Sequence, residues 1–244
     1  MTSRPTVHHW DEPAGLAARG TVIVLPGRGE HGGVYERLGR RLAFDAYRVR
    51  ALADPATAAT AVPALLAREE TAGPRVLLGS DTGALAAVSL VADGVVAPDA
   101  LVLAGLPTTA DEPTGSGADF GAELELRTAC PTHRGRLTAD AAFRRGALTG
   151  EHRPPALDRV GVPVLALHGA KDAVSPLSAA RRVYSGFPEV HLVSLAGTRH
   201  DALNDLTHRT AAASVVLFLE RLRLAAGLPP IATAETGLLR EVAA

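Results

Sequence analysis

The sequence predicts an α/β protein: a mostly parallel sheet with helices on both faces and a small cap inserted after one strand. Short apolar runs alternate with longer Ala-, Leu- and Arg-rich segments of helical pattern. Several runs, such as VIVL and RVLLG, are apolar throughout, as is typical of strands buried on both faces. After the fifth run, about fifty residues lack a strand pattern, which is too long for a structureless loop. We therefore interpret that stretch as a cap.

These patterns also predict the element boundaries. Strands are expected at Thr6–Trp10, Thr21–Leu25, Arg48–Leu52, Arg75–Gly79, Ala100–Ala104, Pro163–Leu167 and Val190–Leu195. Core helices are expected at Val34–Phe44, Thr60–Glu70, Thr82–Ala92, Pro176–Tyr184 and Ala202–Leu224, and cap helices at Ala122–Thr128 and Ala139–Leu148. The predicted core thus comprises residues 1–106 and 159–244, and the predicted cap comprises residues 107–158.

The composition narrows the class of protein. With 244 residues, 47% hydrophobic and 21% charged, the chain can bury the core of one α/β domain. A net charge of −1 provides no electrostatic footprint for nucleic acid. No segment approaches the ~20 apolar residues of a membrane span, and the first residues lack the apolar core of a signal peptide. We expect a cytoplasmic protein that acts on a small-molecule substrate. The sequence leaves open whether the protein forms a homodimer.

The first motif follows the second strand. Residues 27–32, GRGEHG, match the G-x-G-x-x-G pattern of dinucleotide-binding loops, and Asp54 follows the next strand. However, Glu30 would place a carboxylate where the phosphates of a dinucleotide should bind. We therefore regard dinucleotide binding as the weaker interpretation of this loop.

The second motif is GSDTG at residues 79–83, between the strand RVLLG and the helix TGALAAVSLVA. A strand, a tight turn and a helix, with glycine two residues on either side of the centre, form the pattern of a nucleophile elbow. The central residue, Asp81, would then be presented at the carboxyl edge of the sheet. The alternative is an ordinary turn in which Asp81 caps the helix.

Two further residues complete a catalytic constellation in the expected chain order. Asp172 follows the strand PVLALHG, and His200 follows the strand VHLVSLAG. Asp81, Asp172 and His200 are thus expected at the carboxyl ends of three strands, where open α/β sheets bind their ligands. The order nucleophile, acid, histidine is that of the α/β-hydrolase triad.

The chain resembles the α/β-hydrolase superfamily, and within it the monoacylglycerol lipase/lysophospholipase-like group. The segments that carry the resemblance are PGRGEHGGVYERLGRRL, GSDTGALAA, VPVLALHGAKD and GTRHDALND. The resemblance implies an α/β-hydrolase fold and an oxyanion hole formed by the N–H groups of Arg28 and Thr82. We further assign substrate contacts to Tyr35 and Arg28, whose side chains could donate to a leaving group.

One departure from this group decides the predicted chemistry. The elbow carries Asp81 instead of serine, and Ser80 stands one residue too early. In having aspartate at the elbow, the chain resembles the epoxide hydrolases and haloalkane dehalogenases of the same superfamily. A carboxylate with a pKa of about 3.9 is ionised at neutral pH and attacks without a base. Attack on an sp³ carbon yields an alkyl ester, whereas attack on a carboxylic ester yields a more activated anhydride. C–O or C–halogen opening is therefore the leading expectation.

Two other functions stay open. In the first, Asp81 acts as a base or an unusual nucleophile in ester, lactone or thioester hydrolysis. In the second, the protein is a non-catalytic binding protein on the same scaffold. The cap lacks the tyrosines that protonate the leaving group in epoxide hydrolases, and it offers His133, His152 and Cys130 instead. The sequence supports no metal site, and the leading mechanism requires no cofactor.

Overall fold

The computed structural model describes residues 6–68, 73–108, 119–148, 152, 155–224 and 230–232. A sheet of seven strands runs through the molecule in the order β1-β3-β2-β4-β5-β6-β7. The strands are β1 Val7–Trp10, β2 Gly20–Leu25, β3 Tyr47–Leu52, β4 Arg75–Ser80, β5 Ala100–Ala104, β6 Val164–Gly169 and β7 Val190–Leu195. Every neighbouring pair is parallel except β1 with β3. The prediction of a mostly parallel sheet is confirmed.

The apolar runs lie in the middle of the sheet. All residues of β2, β5 and β6 are buried, because these strands pack against helices on both faces. Alternate side chains of each strand belong to two separate apolar clusters, one on each face of the sheet. β7, by contrast, lies at an edge and is largely half-buried.

The helices cover both faces of the sheet. They are α1 Glu36–Phe44, α2 Ala58–Arg68, α3 Thr82–Ala92, α4 Phe120–Arg127, α5 Pro131–Ala139, α6 Leu177–Tyr184 and α7 His208–Leu224. Most begin or end within two residues of the prediction, although the expected last two residues of α2 lie outside the described residues. Residues 32–35 form a 3-10 turn instead of the first turn of α1.

Two helix predictions are wrong. The second cap helix was expected at Ala139–Leu148, but the helix observed there, α5, starts at Pro131 and already ends at Ala139. The chain then turns, because the Asp140 side chain accepts the N–H of Ala142. The long C-terminal helix begins at His208 and not at Ala202. The preceding residues form tertiary hydrogen bonds that a continuous helix could not form.

Asp205 stabilises the turn before α7. Its fully buried carboxylate accepts hydrogen bonds from the Thr128 hydroxyl and from the N–H groups of Ala129, Arg199 and Leu206, at 2.6–3.0 Å. It therefore joins the segment after α4 to the segment after β7, which carries His200.

Asp205→Ala is expected to destabilise the protein by about 4 kcal/mol, because each buried donor that loses its acceptor costs about 1–3 kcal/mol. Asp205→Asn keeps one carbonyl oxygen and should lose roughly half as much. Urea unfolding of the two variants and the wild type measures both free energies. A loss below about 1 kcal/mol for the alanine variant would show that the segments hold together without this carboxylate.

In the described part of the chain, no helix is both long and apolar enough to traverse a lipid bilayer. Of the segment predicted as a cap, residues 109–118, 149–151 and 153–154 lie outside the described residues. Its two described helices, α4 and α5, lie beside the loop after β2 and the loop after β7. A separate cap domain stays a prediction.

Candidate active site

Asp81 occupies the turn between β4 and α3 in a strained backbone conformation. Its φ of 50° and ψ of −123° lie in a region that non-glycine residues rarely adopt. The two flanking glycines are sterically required: a Cβ on Gly79 would lie 2.4 Å from Ala84 Cα, and one on Gly83 would lie 2.1 Å from the Leu25 carbonyl oxygen. The Asp81 side chain makes no capping hydrogen bond to α3. The turn therefore has the geometry of a nucleophile elbow, and the interpretation of Asp81 as a helix cap is wrong.

The three residues of the predicted triad lie in contact. His200 Nε2 is 3.1 Å from Asp81 Oδ1, and His200 Nδ1 is 2.9 Å from Asp172 Oδ2. All three residues are at most 5% exposed. The carboxyl ends of β4, β6 and β7 bring together residues that are 28 and 119 positions apart in the chain.

The Asp172 carboxylate is held rigidly behind the histidine. Its Oδ1 accepts the N–H groups of Val174 and Ser175, at 2.9 and 2.8 Å. Its Oδ2 faces His200 and also lies 3.3 Å from His168 Nε2. These contacts fix which carboxylate oxygen points at His200, and hence the orientation of the imidazole ring.

The charges at the site stabilise one another. Burial raises the pKa of Asp81, but hydrogen bonds and positive charge from His200 and Arg28 outweigh it, so this pKa lies well below its ordinary value. Burial lowers the pKa of His200, but Asp172 and then Asp81 outweigh it and raise this pKa to about 10. At neutral pH the resting site thus holds an imidazolium between two carboxylates.

Arg28 binds Asp81 through both its backbone and its side chain. Its backbone N–H and its Nε both donate to Asp81 Oδ2 at 2.8 Å, and its Nη2 donates to Oδ1 at 2.8 Å. The backbone contact comes from the N–H predicted for the oxyanion hole. Thr82 is the first residue of α3, directly after Asp81. Its part in the oxyanion hole stays a prediction.

The loop after β2 has no N–H pattern suited to a dinucleotide. Glu30 Oε2 accepts the N–H of Gly27 at 3.0 Å, and the N–H of Arg28 is taken by Asp81. Asp54, the residue expected at a ribose, instead accepts the N–H of Ala56 in a 3-10 turn. Because side-chain carboxylates occupy the positions of phosphate oxygens, the structure argues against dinucleotide binding.

Tyr35 lies beneath this loop. It is fully buried, and its hydroxyl donates to Glu30. Burial and the neighbouring Glu30 carboxylate both raise the pKa of this hydroxyl. The Tyr35 side chain thus supports the loop from below, and its expected substrate contact stays a prediction.

Arg127 is a buried residue of the site that sequence reasoning missed. It is fully buried at the end of α4, and its Nη2 donates to the Arg28 carbonyl oxygen at 2.6 Å. Its Nε and Nη2 also donate to Glu123 Oε1 at 3.0 Å. Its own carbonyl oxygen accepts the N–H of Asp201, next to His200, at 2.8 Å. One side chain and its backbone thus connect the Arg28 loop to the histidine loop.

Glu30, His133 and Asp201 form a buried group whose potential ligand atoms lie within 4.8 Å of one another, the geometry of a metal site. However, Arg127 Nη1 lies 3.6 Å from Asp201 and 3.9 Å from Glu30. Its guanidinium already supplies the positive charge that a cation would bring. Burial, followed by the charge of Asp201, raises the pKa of Glu30, which further weakens it as a metal ligand.

The remaining candidates are distributed around the site. His133 Nε2 pairs with Asp201 at 3.3 Å, and Cys130 is buried at the start of α5. Burial, followed by the positive charge of Arg28, lowers the pKa of His152, and the Asp81 carboxylate opposes this shift only in part. Its Nε2 is buried and has no hydrogen-bond partner among the described residues. The identity of the leaving-group donor stays a prediction.

Comparison with known proteins identifies the fold class. No protein-family model matches the chain, and no curated protein does. Many solved structures match it. The sheet order, the elbow and the matched structures together show that the chain has the α/β-hydrolase fold.

Three of the similar structures are two lipases and an esterase. The monoacylglycerol lipase of Paleococcus ferrophilus aligns with a TM-score of 0.71 and 17% identity, over 89% of this chain and 98% of that one. The monoglyceride lipase of Saccharomyces cerevisiae has a TM-score of 0.69 and 14% identity, over 90% and 96%. An esterase from Rhodococcus sp. ECU1013 has a TM-score of 0.69 and 22% identity, over 88% and 95%.

Proposed function

We propose that the protein is a hydrolase in which Asp81 attacks an sp³ carbon of a small organic substrate and forms an alkyl ester. The observation that carries this proposal is the placement of the Asp81 carboxylate. Its Oδ2 accepts a hydrogen bond from the backbone N–H of Arg28, at a position where an oxyanion would be stabilised. Its Oδ1 faces His200. The carboxylate is also ionised, because its pKa is lowered. It can therefore attack without prior deprotonation.

In the first step, a lone pair of Asp81 Oδ1 forms a bond to the substrate carbon. The bond from that carbon to a halogen or epoxide oxygen breaks, and the leaving group takes the bonding pair. A halide leaves as an anion, whereas an alkoxide takes its proton from water and leaves a hydroxide ion. The opened bond is therefore of the C–halogen or epoxide type, which suits a carboxylate nucleophile.

In the second step, His200 becomes a base. Esterification removes the negative charge of Asp81, one of the two carboxylates that raise the pKa of His200. The imidazolium then releases its Nε2 proton to solvent, where it neutralises any hydroxide left by the first step. Asp172 keeps Nδ1 protonated, so that Nε2 can accept a proton from water. Hydroxide attacks the carbonyl carbon of the ester, and the backbone N–H of Arg28 donates a hydrogen bond to the oxyanion that forms on Oδ2. Collapse of this intermediate releases the alcohol and restores Asp81 and the His200 imidazolium.

Oxygen labelling tests this sequence of steps. A single turnover in ¹⁸O water with excess enzyme should give mostly unlabelled alcohol and an ¹⁸O label on Asp81. In His200→Ala, the ester should persist, so that the intact protein gains the mass of the alkyl group. Solvent ¹⁸O in the first product, with no adduct on the His200 variant, would contradict the nucleophile role.

The second candidate function is hydrolysis of an ester, lactone or thioester with Asp81 as base. The names of the structural neighbours, which are lipases and esterases, favour it. It predicts solvent label in the product and no alkyl adduct. A non-catalytic binding protein predicts neither turnover nor adduct, so the same experiment separates all three functions.

A further inference from the structure

We propose that Arg127 is a positioning residue for the second chemical step, the hydrolysis of the Asp81 ester. The inference rests on the proposed function. It assigns to Arg127 the task of holding the oxyanion-binding N–H of Arg28 at a fixed distance from the base, His200. Arg127 acts through the two loops that it joins, and three features of its surroundings support this role.

The first feature is the tight turn that carries the Arg28 N–H. The N–H of Glu30 donates to the Gly27 carbonyl oxygen at 3.1 Å, and this carbonyl belongs to the same planar peptide unit as the Arg28 N–H. On the other side of Arg28, its own carbonyl oxygen accepts Arg127 Nη2 at 2.6 Å. Both peptide units that flank the Arg28 Cα are thus held by hydrogen bonds, and Arg127 supplies the second.

The second feature is the backbone at the end of α4. The Arg127 carbonyl oxygen accepts the N–H of Asp201 at 2.8 Å, and the Leu126 carbonyl oxygen accepts the N–H of His200 at 3.5 Å. The main chain at the histidine is therefore held by the same helix end whose arginine holds the Arg28 carbonyl. The distance between the oxyanion donor and the base depends on this one helix end.

The third feature is the position of the guanidinium among three buried carboxylates. Its Nε and Nη2 both donate to Glu123 Oε1 at 3.0 Å. Its Nη1 lies 3.6 Å from Asp201 Oδ1 and 3.9 Å from Glu30 Oε1, and it has no hydrogen-bond partner among the described residues. A buried donor without an acceptor is unfavourable. The side chain is thus placed for the contact of Nη2 with the Arg28 carbonyl, and not for the best pairing of every N–H.

Stability alone does not account for this arrangement. A buried ion pair contributes little net stability, because apolar side chains of similar volume can often replace it without loss. A planar guanidinium, by contrast, fixes several acceptors relative to one another. Burial lowers the pKa of Arg127, but the carboxylates of Asp201, Glu30 and Glu123 outweigh it and raise this pKa above its ordinary value. The guanidinium therefore stays charged at every step of the reaction.

The two chemical steps need the joined loops to different extents. Attack of Asp81 Oδ1 on an sp³ carbon requires neither an oxyanion donor nor a base. Hydrolysis of the ester requires both at once, the Arg28 N–H at the oxyanion on Oδ2 and His200 Nε2 at the attacking water. A shift of either loop should therefore slow the hydrolysis and leave the attack largely unchanged.

The test is a single turnover with excess full-length enzyme, in which Arg127→Lys is compared with the wild type. The probes are styrene oxide and 1-bromobutane. The rates of the two steps are fitted to the time courses of the probe, of the Asp81 ester by intact mass, and of the released alcohol. Lysine keeps the charge but lacks the planar fork. We expect hydrolysis to slow about 100-fold, the scale of one oxyanion-hole donor, and attack to stay within about threefold of the wild type.

Arg19→Lys is the matched control. Arg19 also binds a glutamate, Glu220, through its Nε and Nη2, and it also joins two segments that are distant in the chain. It directly precedes β2 at the edge of the sheet opposite the site. The same substitution should therefore leave the rates of both steps unchanged, even where it lowers the stability of the protein.

A second variant guards against a failure of the lysine variant to fold. Arg127→Met combined with Glu123→Gln removes both charges of the ion pair, and the glutamine oxygen can still accept the N–H of Gly146. This double variant also leaves the Arg28 carbonyl without its donor. It should show the same selective loss of ester hydrolysis.

The outcomes separate the inference from the proposed function. If the Arg127 variants hydrolyse the ester as fast as the wild type, or if both steps slow equally, Arg127 does not position the hydrolytic step and the nucleophile role of Asp81 still holds. Failure of both variants to fold would show that Arg127 serves stability instead. If neither probe forms an ester on Asp81, even in His200→Ala, the proposed function fails, and this inference fails with it.

Discussion

Asp81→Ala is expected to lower the turnover rate by about 10⁴–10⁶-fold, because it removes the atom that we propose forms the covalent bond. The fold should survive the substitution, since alanine retains the Cβ and the contacts of the elbow glycines are unchanged. Turnover is measured on a substrate that the wild type hydrolyses, and folding by urea unfolding. Alanine is preferable to asparagine, which can deamidate back to aspartate.

The adjacent residue provides the control for this experiment. Ser80 is 5% exposed, and its hydroxyl forms a hydrogen bond with the buried hydroxyl of Tyr35. Ser80→Ala should therefore retain activity within about 10-fold of the wild type. If the Asp81 variant is folded and remains active while the Ser80 variant is inactive, the elbow uses serine and the assignment of the nucleophile is wrong.

Asp172→Asn should lower the turnover rate by about 10⁴-fold and allow the alkyl ester to accumulate. Asp172 Oδ1 accepts two backbone N–H groups, so the amide oxygen of asparagine must occupy that position. The amide NH₂ then faces His200 Nδ1, which must act as an acceptor. The proton of neutral His200 therefore lies on Nε2, and the ring cannot take a proton from water. Attack by Asp81 does not need this base and should continue.

This second prediction is measured by rapid quenching, with intact mass to detect the ester and steady-state assays to measure turnover. Asp158→Asn, at an exposed acidic residue before β6, is the matched control and should behave as the wild type. A variant that turns over normally would show that Asp172 does not control the tautomer of His200. A variant that is inactive but carries no ester would show that the histidine is needed before the covalent step.

Local patterns in the sequence were sufficient to predict the framework of the molecule. Buried parallel strands appear as continuous apolar runs, and all seven strands lie within two residues of their predicted limits. The Gly-x-Asp-x-Gly pattern also predicted the elbow, because only glycine fits where the strand and helix approach so closely. The order of Asp81, Asp172 and His200 along the chain was enough to expect them together at one edge of the sheet.

Polar contacts between residues far apart in the chain leave no local pattern in the sequence. The start of α7 at His208 depends on Asp205 bonding to residues more than 70 positions earlier. Arg127, which contacts the carbonyl oxygen of a residue 99 positions earlier, resembles any helical arginine in the sequence. A Glu123–Arg127 spacing of four residues was the available indication, and it is equally common on solvated helix faces.

The sequence by itself thus determined the α/β class, the parallel strands, the glycine-flanked turn at Asp81 and the meeting of Asp81, Asp172 and His200 at one edge of the sheet. These features depend on hydrophobic periodicity and on steric rules that operate within a few neighbouring residues. The tertiary structure alone decided that the Arg28 side chain covers Asp81, that Tyr35 lies beneath its loop, and that Arg127 connects two loops of the site. Such contacts join residues far apart in the chain, and charged side chains gain their partners when the fold buries them together.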